Sequence, residues 1–104
     1  MPAYANDPSL TFAFDGEVIR GWNALREQQR KWWQDGAAIG SYKYAGTPIV
    51  EPLAEDLGMT TFLIAARSQL PEGRVIERTL AYSALWRKQE DGWRIIFAHE
   101  SSTK

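Results

Sequence analysis

The sequence contains no cysteine and a single histidine among its 104 residues. The absence of thiols excludes disulfide bonds, thiolate nucleophiles and zinc–thiolate sites. With one imidazole and no thiolate, the chain also lacks the residues of an ordinary transition-metal cluster. We therefore predict that the protein uses neither a metal ion nor a cofactor.

Excess charge and long apolar runs are missing as well. The 12 basic residues are balanced by 13 acidic ones, so no basic excess exists to contact phosphates, and nucleic acid is not an expected partner. No apolar run approaches the roughly 18 residues of a membrane span. The first residues, MPAYANDPSLTF, have neither the basic nor the apolar region of a secretory signal. The sequence thus predicts one cytoplasmic domain over residues 1–104, with no membrane partner.

The short motifs of several enzyme classes are absent from the sequence. It contains no P-loop, no G-x-G-x-x-G, no G-x-S-x-G and no H-E-x-x-H. Each of these motifs has a direct mechanical role in phosphate binding, nucleophile presentation or zinc ligation. Those familiar forms of catalysis are therefore not indicated.

Aromatic side chains are abundant instead, with five tryptophans, four tyrosines and four phenylalanines. Large rings can fill a small core, which is the simpler interpretation, and they can also wall a ligand pocket. Trp22, Leu25 and Trp32 recur at helical spacing, while most charged residues fall on the other faces. The pattern predicts a helix at about 22–34, with Gly36 suited to end it.

Strand patterns surround this helix. Before it, residues 9–21 alternate around an Asp-Gly turn and predict a short hairpin. After it the period changes to two, and strands are predicted at 38–46, 59–68, 74–88 and 93–102. The segment 47–53 contains two prolines, which permits only an edge strand or an extended loop. The apolar run at 59–68 is typical of a strand buried on both faces. The order of elements predicts an α+β fold of long antiparallel strands with a helix covering one sheet face.

The last apolar run, GWRIIFAHESS at residues 92–102, carries the only histidine. By strand alternation, one face is predicted to hold Trp93, Ile95, Phe97, His99 and Ser101. If that face lines a pocket, His99 stands at its mouth, where an imidazole with an ordinary pKa of about 6.5 can act as general acid or base. The alternative is a histidine that closes a strand and does no chemistry.

Tyrosines are the other polar candidates, because a phenolic hydroxyl can donate a hydrogen bond to a ligand carbonyl. Tyr42 and Tyr82 lie on predicted strands, although both rings also fit a core. Glu77 could carry a proton if it faced inward, but a cross-strand surface pair is the simpler interpretation. With His99 as the catalytic residue, the predicted ligand-binding residues are Trp22, Trp32, Tyr42, Tyr82, Phe97 and Ser101.

Two segments carry a family resemblance. Together with the aromatic-ended helix, DGEVIRGWNALRE (15–27) and WRKQEDGWRIIFAHESS (86–102) resemble the nuclear transport factor 2-like (NTF2-like) superfamily. The similarity is greatest to its SnoaL-like and DUF4440-type domains and covers residues 10–104 in the same element order. It rests on Gly21, Trp86, the Asp91-Gly92-Trp93 run, and His99 with Ser101. The resemblance implies a cone-shaped, strongly curved antiparallel sheet with a covering helix.

The resemblance implies two alternative functions, since this fold serves both enzymes and scaffolds. One is a small-molecule-binding domain with an aromatic-lined pocket and lyase- or isomerase-type acid–base chemistry. Its expected ligand is small and hydrophobic or carries a carboxylate. The other is a non-catalytic homodimeric interaction module.

A departure from the family bears on both alternatives. Family members usually begin with helices that close one end of the cone, whereas the first predicted strand here begins about nine residues from the start. The resemblance therefore implies a pocket that is open or closed by a second subunit. It also implies a homodimer that covers apolar sheet surface.

Overall fold

Seven strands and one helix make up the described part of the chain, residues 2–32 and 39–102 of a computed structural model. In chain order the elements are β1 (Thr11–Phe14), β2 (Glu17–Arg20), α1 (Trp22–Trp32), β3 (Ile39–Tyr44), β4 (Ile49–Ala54), β5 (Leu57–Gln69), β6 (Val75–Gln89) and β7 (Gly92–Ser102). The strands form one sheet in the order β2-β1-β7-β6-β5-β3, and β4 also pairs with β5. The predicted α+β fold is confirmed.

The hairpin of β1 and β2 is also confirmed. Its turn residues Asp15 and Gly16 both have positive φ, 42° and 87°, as a type I′ turn requires. Gly21 follows with a φ of 94°, and its N–H donates to the carbonyl of Leu10 at 2.7 Å. A glycine is favoured there because L side chains rarely adopt that backbone conformation. This bend leads the chain directly into α1.

The helix begins at Trp22 as predicted and is described through Trp32. The final residues of the predicted helix and Gly36 lie outside the described residues. Leu25 is the buried residue of α1, and it joins a core cluster with side chains of β1, β6 and β7. We call the sheet face that packs against α1 the helix face, and the opposite one the outer face.

The sheet is mixed, which differs from the predicted run of antiparallel strands. β1 pairs with β7 in parallel, with Phe12 opposite Ala98 and Phe14 opposite Glu100. The segment before β1 also pairs with β7. Ala5 N–H donates to the Ile95 carbonyl at 2.9 Å, and Ile95 N–H donates to the Ala3 carbonyl at 2.7 Å. Residues 3–5 therefore pair with the same edge of β7 as β1 does.

Two predictions about individual strands have different outcomes. β4 is an edge strand on β5, as the prolines of residues 47–53 predicted, with a register shift between Pro52 and Ala54. The prediction that β5 is buried on both faces is wrong, since Leu63 remains 47% exposed. Its outer face has no layer packed on it within the described chain, so the apolar run is covered on the helix face alone.

Replacing the helix anchor provides a test of this packing. Leu25→Ala removes a side chain that is 0% exposed, and we expect a loss of about 2–5 kcal/mol in the free energy of unfolding. The matched control is Leu53→Ala, because Leu53 is 51% exposed and its replacement should cost less than about 0.5 kcal/mol. Equal losses in urea denaturation of the two variants would contradict the placement of α1.

Candidate functional site

A β-bulge in β7 decides which of its side chains meet the helix. Leu85 of β6 is opposite Phe97, but the next residue, Trp86, is opposite Ile95, so Ile96 has no partner. Such an extra residue reverses the alternation of faces beyond it. Ile95 and Ala98 are both buried in the core cluster, whereas Phe97 is 40% exposed.

The predicted grouping of Trp93, Ile95, Phe97, His99 and Ser101 on one face is therefore wrong. Phe97, His99 and Ser101 lie on the outer face, in register with Leu85, Ser83 and Ala81. All three are exposed. The catalytic role of His99 stays a prediction, and His99 is not among the groups that the helix face brings together.

The remaining predicted ligand-binding residues lie on the helix face of the sheet or on α1. Tyr82 and Trp32 both contact the ring of Phe12, at centroid distances of 6.5 and 6.2 Å. Tyr42 is opposite Ala66 of β5, which is in turn opposite Arg78 of β6. Arg78 and Tyr82 are on the same face of β6 by alternation, so Tyr42 lies on the helix face with Tyr82. Trp22 packs on the core at the opposite end of α1 from Trp32.

Two tyrosine hydroxyls pair on the helix face. The oxygens of Tyr4 and Tyr82 are 2.7 Å apart, so one hydroxyl donates to the other. Burial raises the pKa of both phenols above the ordinary value of 10.0. Both stay neutral at physiological pH, and the accepting hydroxyl keeps its own hydrogen for a third group. The pair is therefore a hydrogen-bond donor suited to an oxygen that gains negative charge.

Glu100 lies beside this pair. It is opposite Tyr82 on β6 and opposite Phe14 on β1. Burial raises the pKa of its carboxyl above the ordinary 4.5, and the negative charge of Asp15 raises it further. Asp15 is fixed near the end of β7 because its carboxylate accepts hydrogen bonds from the N–H and the hydroxyl of Ser102, at 3.2 and 3.1 Å.

The charge of Glu100 acts on three tyrosines. It raises the pKa of Tyr4 and Tyr82, although less than burial does. It also contributes to the raised pKa of Tyr42, where burial is again the larger cause. We call the set of Tyr4, Tyr42, Tyr82 and Glu100 the Glu100 site.

Aromatic rings surround the Glu100 site. Phe62 stacks on Tyr82 at a centroid distance of 5.3 Å, and Tyr44 meets Phe62 edge-on at 5.0 Å. On the other side, Phe14 meets Trp32 edge-on at 5.1 Å. These contacts produce an apolar environment in which a carboxyl group has a raised pKa and an apolar molecule loses hydration.

Tyr4 and Glu100 are the members of the Glu100 site that the sequence patterns did not single out. Glu100 is adjacent to His99, and regular alternation through the apolar run does not reveal the bulge that sets its face. Tyr4 lies in a segment without periodicity before the first strand. The abundance of aromatic residues is the sequence signal that points to this surface.

The described residues contain neither a metal-ligand cluster nor a membrane-spanning helix. Across residues 2–32 and 39–102, no three His, Asp or Glu side chains are arranged to hold a metal ion. The same residues include no helix with the length and apolar character that crossing a membrane demands.

This arrangement of strands and helix occurs in solved structures. An NTF2-like superfamily protein from Salmonella enterica serovar Typhimurium matches with a TM-score of 0.81 at 20% identity, over 97% of this chain and 72% of that one. The chain has the NTF2-like fold. A ketosteroid isomerase-like protein from Erwinia carotovora atroseptica matches with a TM-score of 0.76 at 15% identity, over 99% of this chain and 78% of its own. The association domain of C. elegans CaMKII matches with a TM-score of 0.61 at 20% identity, over 91% and 73%.

The NTF2-like fold is shown by structure alone. No protein-family model and no curated protein matches the chain. The fold confirms the resemblance carried by the hairpin, the helix and the closing strands. The SnoaL-like and DUF4440-type branch stays a prediction.

The raised pKa of Glu100 predicts a pH-dependent stability. The folded protein binds the Glu100 proton more tightly than the unfolded chain does. This group therefore lowers the free energy of unfolding as pH rises from below 4.5 through its folded-state pKa. Because Gln does not ionise, the Glu100→Gln variant should not lose this stability. The difference in free energy of unfolding between the variant and wild type should therefore increase through this pH range and stay constant above it.

Thermal unfolding between about pH 4 and pH 8 measures this effect. Glu77→Gln is the matched control, because Glu77 is exposed and forms a surface ion pair with Arg67 at 3.6 Å. A stability difference between Glu100→Gln and wild type that does not change with pH would contradict the burial of Glu100.

Proposed function

We propose that this NTF2-like protein binds a small, largely apolar carbonyl compound and transfers a proton on it, with Glu100 as the acid–base group. The observation that supports this most is the placement of Glu100 beside the hydrogen-bonded pair of Tyr4 and Tyr82 within aromatic walls. A proton acceptor and a donor for a developing oxyanion are the two groups that such a reaction requires.

The reaction follows from these groups. The carbonyl oxygen of the ligand accepts a hydrogen bond from the tyrosine pair, and the Glu100 carboxylate removes a proton from the carbon next to the carbonyl. The electron pair of that C–H bond moves to form an enolate, whose negative charge lies on the hydrogen-bonded oxygen. In a ligand with a carbon–carbon double bond beside the deprotonated carbon, the enolate is extended over that double bond, and return of the proton at its far carbon shifts the double bond and completes an isomerisation. A carboxyl group with a raised pKa is the stronger base once it is ionised.

The environment of Glu100 favours one of the two predicted ligand classes. A hydrophobic molecule matches the apolar character of the rings of Phe14, Phe62 and Trp32. A carboxylate-bearing molecule would be repelled by Glu100 and by Asp15, whose charge already raises the pKa of Glu100. One structural neighbour is named ketosteroid isomerase-like, which is consistent with this chemistry and, at its low identity, supports the fold.

Exchange of carbon-bound hydrogen for deuterium tests the proposal directly. We expect the wild-type protein to accelerate exchange next to the carbonyl of 1-tetralone in D2O, followed by NMR. Glu100→Gln should lower the catalysed rate by roughly 100-fold or more, and Tyr82→Phe should lower it as well. Tyr44→Phe is the matched control, since it keeps the ring that packs on Phe62 and removes only the hydroxyl of a side chain that is 63% exposed; it should leave the rate unchanged.

The same assay decides between Glu100 and His99. Because His99 is exposed on the outer face, His99→Ala should exchange 1-tetralone as wild type does. Loss of exchange in His99→Ala with retention in Glu100→Gln would overturn the proposal. Absence of exchange and of binding with wild-type protein would do so too.

A second candidate function, a homodimeric interaction module, is supported by the outer face. Leu63 and Phe97 are 47% and 40% exposed there, and their register neighbours on β6 are Ala81 and Leu85. Exposed apolar patches of this kind mark interaction sites. One structural neighbour is named an association domain.

Sedimentation velocity tests the dimer. Wild type should sediment at twice the 11.8 kDa chain mass, and Leu63→Glu should sediment as a monomer, because a charge in the centre of the interface is not compensated. Leu53→Glu is the control, since Leu53 lies in the edge strand β4 and is already 51% exposed. A wild-type monomer would contradict this candidate function.

A further inference from the structure

The outer face carries a row of side chains that crosses the sheet from one edge to the other, which we call the Phe97 row. Residues directly opposite each other on neighbouring strands share a face of the sheet. The registers place six residues in this row, from β4 through β5, β6, β7 and β1 to β2: Glu51, Met59, Leu85, Phe97, Thr11 and Arg20. The Phe97 row therefore has an acidic end, a largely apolar middle and a basic end.

The two charged ends of the Phe97 row have no partner in the described part of the chain. Among residues 2–32 and 39–102, no ion pair or side-chain hydrogen bond involves Arg20 or Glu51, and both residues are exposed. They cannot bind each other, because five strand spacings of about 4.8 Å separate them by roughly 24 Å. Both charges are therefore available to a second molecule.

A neighbouring row, the His99 row, ends in apolar side chains. It runs in the same strand order through Ile49, Thr61, Ser83, His99, Ala13 and Val18. Its end residues Ile49 and Val18 are 57% and 66% exposed. The ends of the two rows are thus matched in kind, opposite charges in the Phe97 row and exposed aliphatic side chains in the His99 row.

Twofold symmetry can use this match in one orientation only. When two sheets pack face to face with their strands aligned, the twofold axis lies either across the strands or along them. An axis across the strands, through the Phe97 row, would place Arg20 against Arg20 of the partner subunit. An axis along the strands, between β6 and β7, exchanges the two ends of each row. Charge complementarity favours the second orientation.

We infer that two copies of this chain pack outer face to outer face about a twofold axis parallel to the strands, with Arg20 of each copy against Glu51 of the partner subunit. The same operation places Ile49 against Val18 of the partner subunit. Each contact then occurs twice, as a self-complementary interface requires, with charge at the rim and apolar side chains between. This inference rests on the second candidate function, the homodimeric module, and names the contacts that its interface makes.

Charge reversal tests the pairing in sedimentation equilibrium. Arg20→Glu or Glu51→Arg alone puts two like-charge contacts into each dimer, so we expect the dimer dissociation constant to increase about tenfold. The double variant, Arg20→Glu with Glu51→Arg, brings opposite charges together again and should dimerise as wild type does. The matched controls Arg78→Glu and Glu72→Arg reverse the same charges on the helix face and in the turn after β5, and they should leave the dissociation constant unchanged.

Mixing the two single variants separates the two orientations of the axis. In a heterodimer of Arg20→Glu with Glu51→Arg, both rim contacts join opposite charges. The equimolar mixture should therefore regain the wild-type dissociation constant, although neither variant does so alone. With an axis across the strands, Arg20→Glu would instead pair preferentially with wild type, and that result would overturn the inference.

The outcomes distinguish this inference from the candidate function on which it rests. A wild-type dimer whose dissociation constant does not change in either single variant would overturn the arrangement of Arg20 and Glu51 but not the dimer. A wild-type monomer would overturn both and would leave the outer face to a different partner. Circular dichroism of each variant checks that these exposed replacements leave the fold intact.

Discussion

The unpaired Ile96 in β7 is the constraint on which the helix face depends. Side chains alternate along a strand, so an unbroken β7 would place Trp93 and Glu100 on opposite faces of the sheet. The bulge between the Trp86–Ile95 and Leu85–Phe97 pairs brings both to the helix face. One extra residue therefore places Trp93 and the Glu100 site on the same face of the sheet, along one strand.

The electrostatics of the Glu100 site follow from the same placement. Once Glu100 is opposite Tyr82 and Phe14, its carboxyl is partly removed from water, and the neighbouring charge of Asp15 disfavours ionisation further. A folded protein that holds an ionisable group in this way loses stability at neutral pH. Such local conflicts with stability are expected at functional sites and are compensated by the rest of the fold. Here the compensation comes from the buried cluster that includes Leu25, Phe12 and Ala98.

Local patterns predicted much of the fold. The Asp-Gly turn predicted the hairpin, the spacing of Trp22 and Leu25 predicted the helix, and the prolines of 47–53 predicted an edge strand. Each of these signals depends on neighbours in sequence, which is why it can be read without the structure. The parallel pairing of β1 with β7 joins distant segments, and no local pattern reports it.

The candidate site was predicted only in part, for a physical reason. Tyr82, Tyr42 and Trp32 are large aromatics on predicted elements; the two tyrosines lie on the helix face, and Trp32 lies on α1. His99, Phe97 and Ser101 were assigned by alternation through Ile95, Ile96 and Phe97, a run of apolar residues in which a bulge leaves no mark in residue type. The prediction that β5 is buried on both faces was wrong for a related reason. Hydrophobicity alone does not distinguish a strand that is covered on both faces from one that exposes Leu63 on its outer face.

The most direct test of this account is the pKa of the Glu100 carboxyl, measured by 13C NMR titration of the side chain with Glu100→Gln used to assign the resonance. The account predicts a pKa above the ordinary 4.5, and a decrease of that pKa in Asp15→Asn, because the charge of Asp15 contributes to the increase. A pKa at or below 4.5 would place Glu100 in water and would contradict both the role of the bulge and the proposed proton transfer.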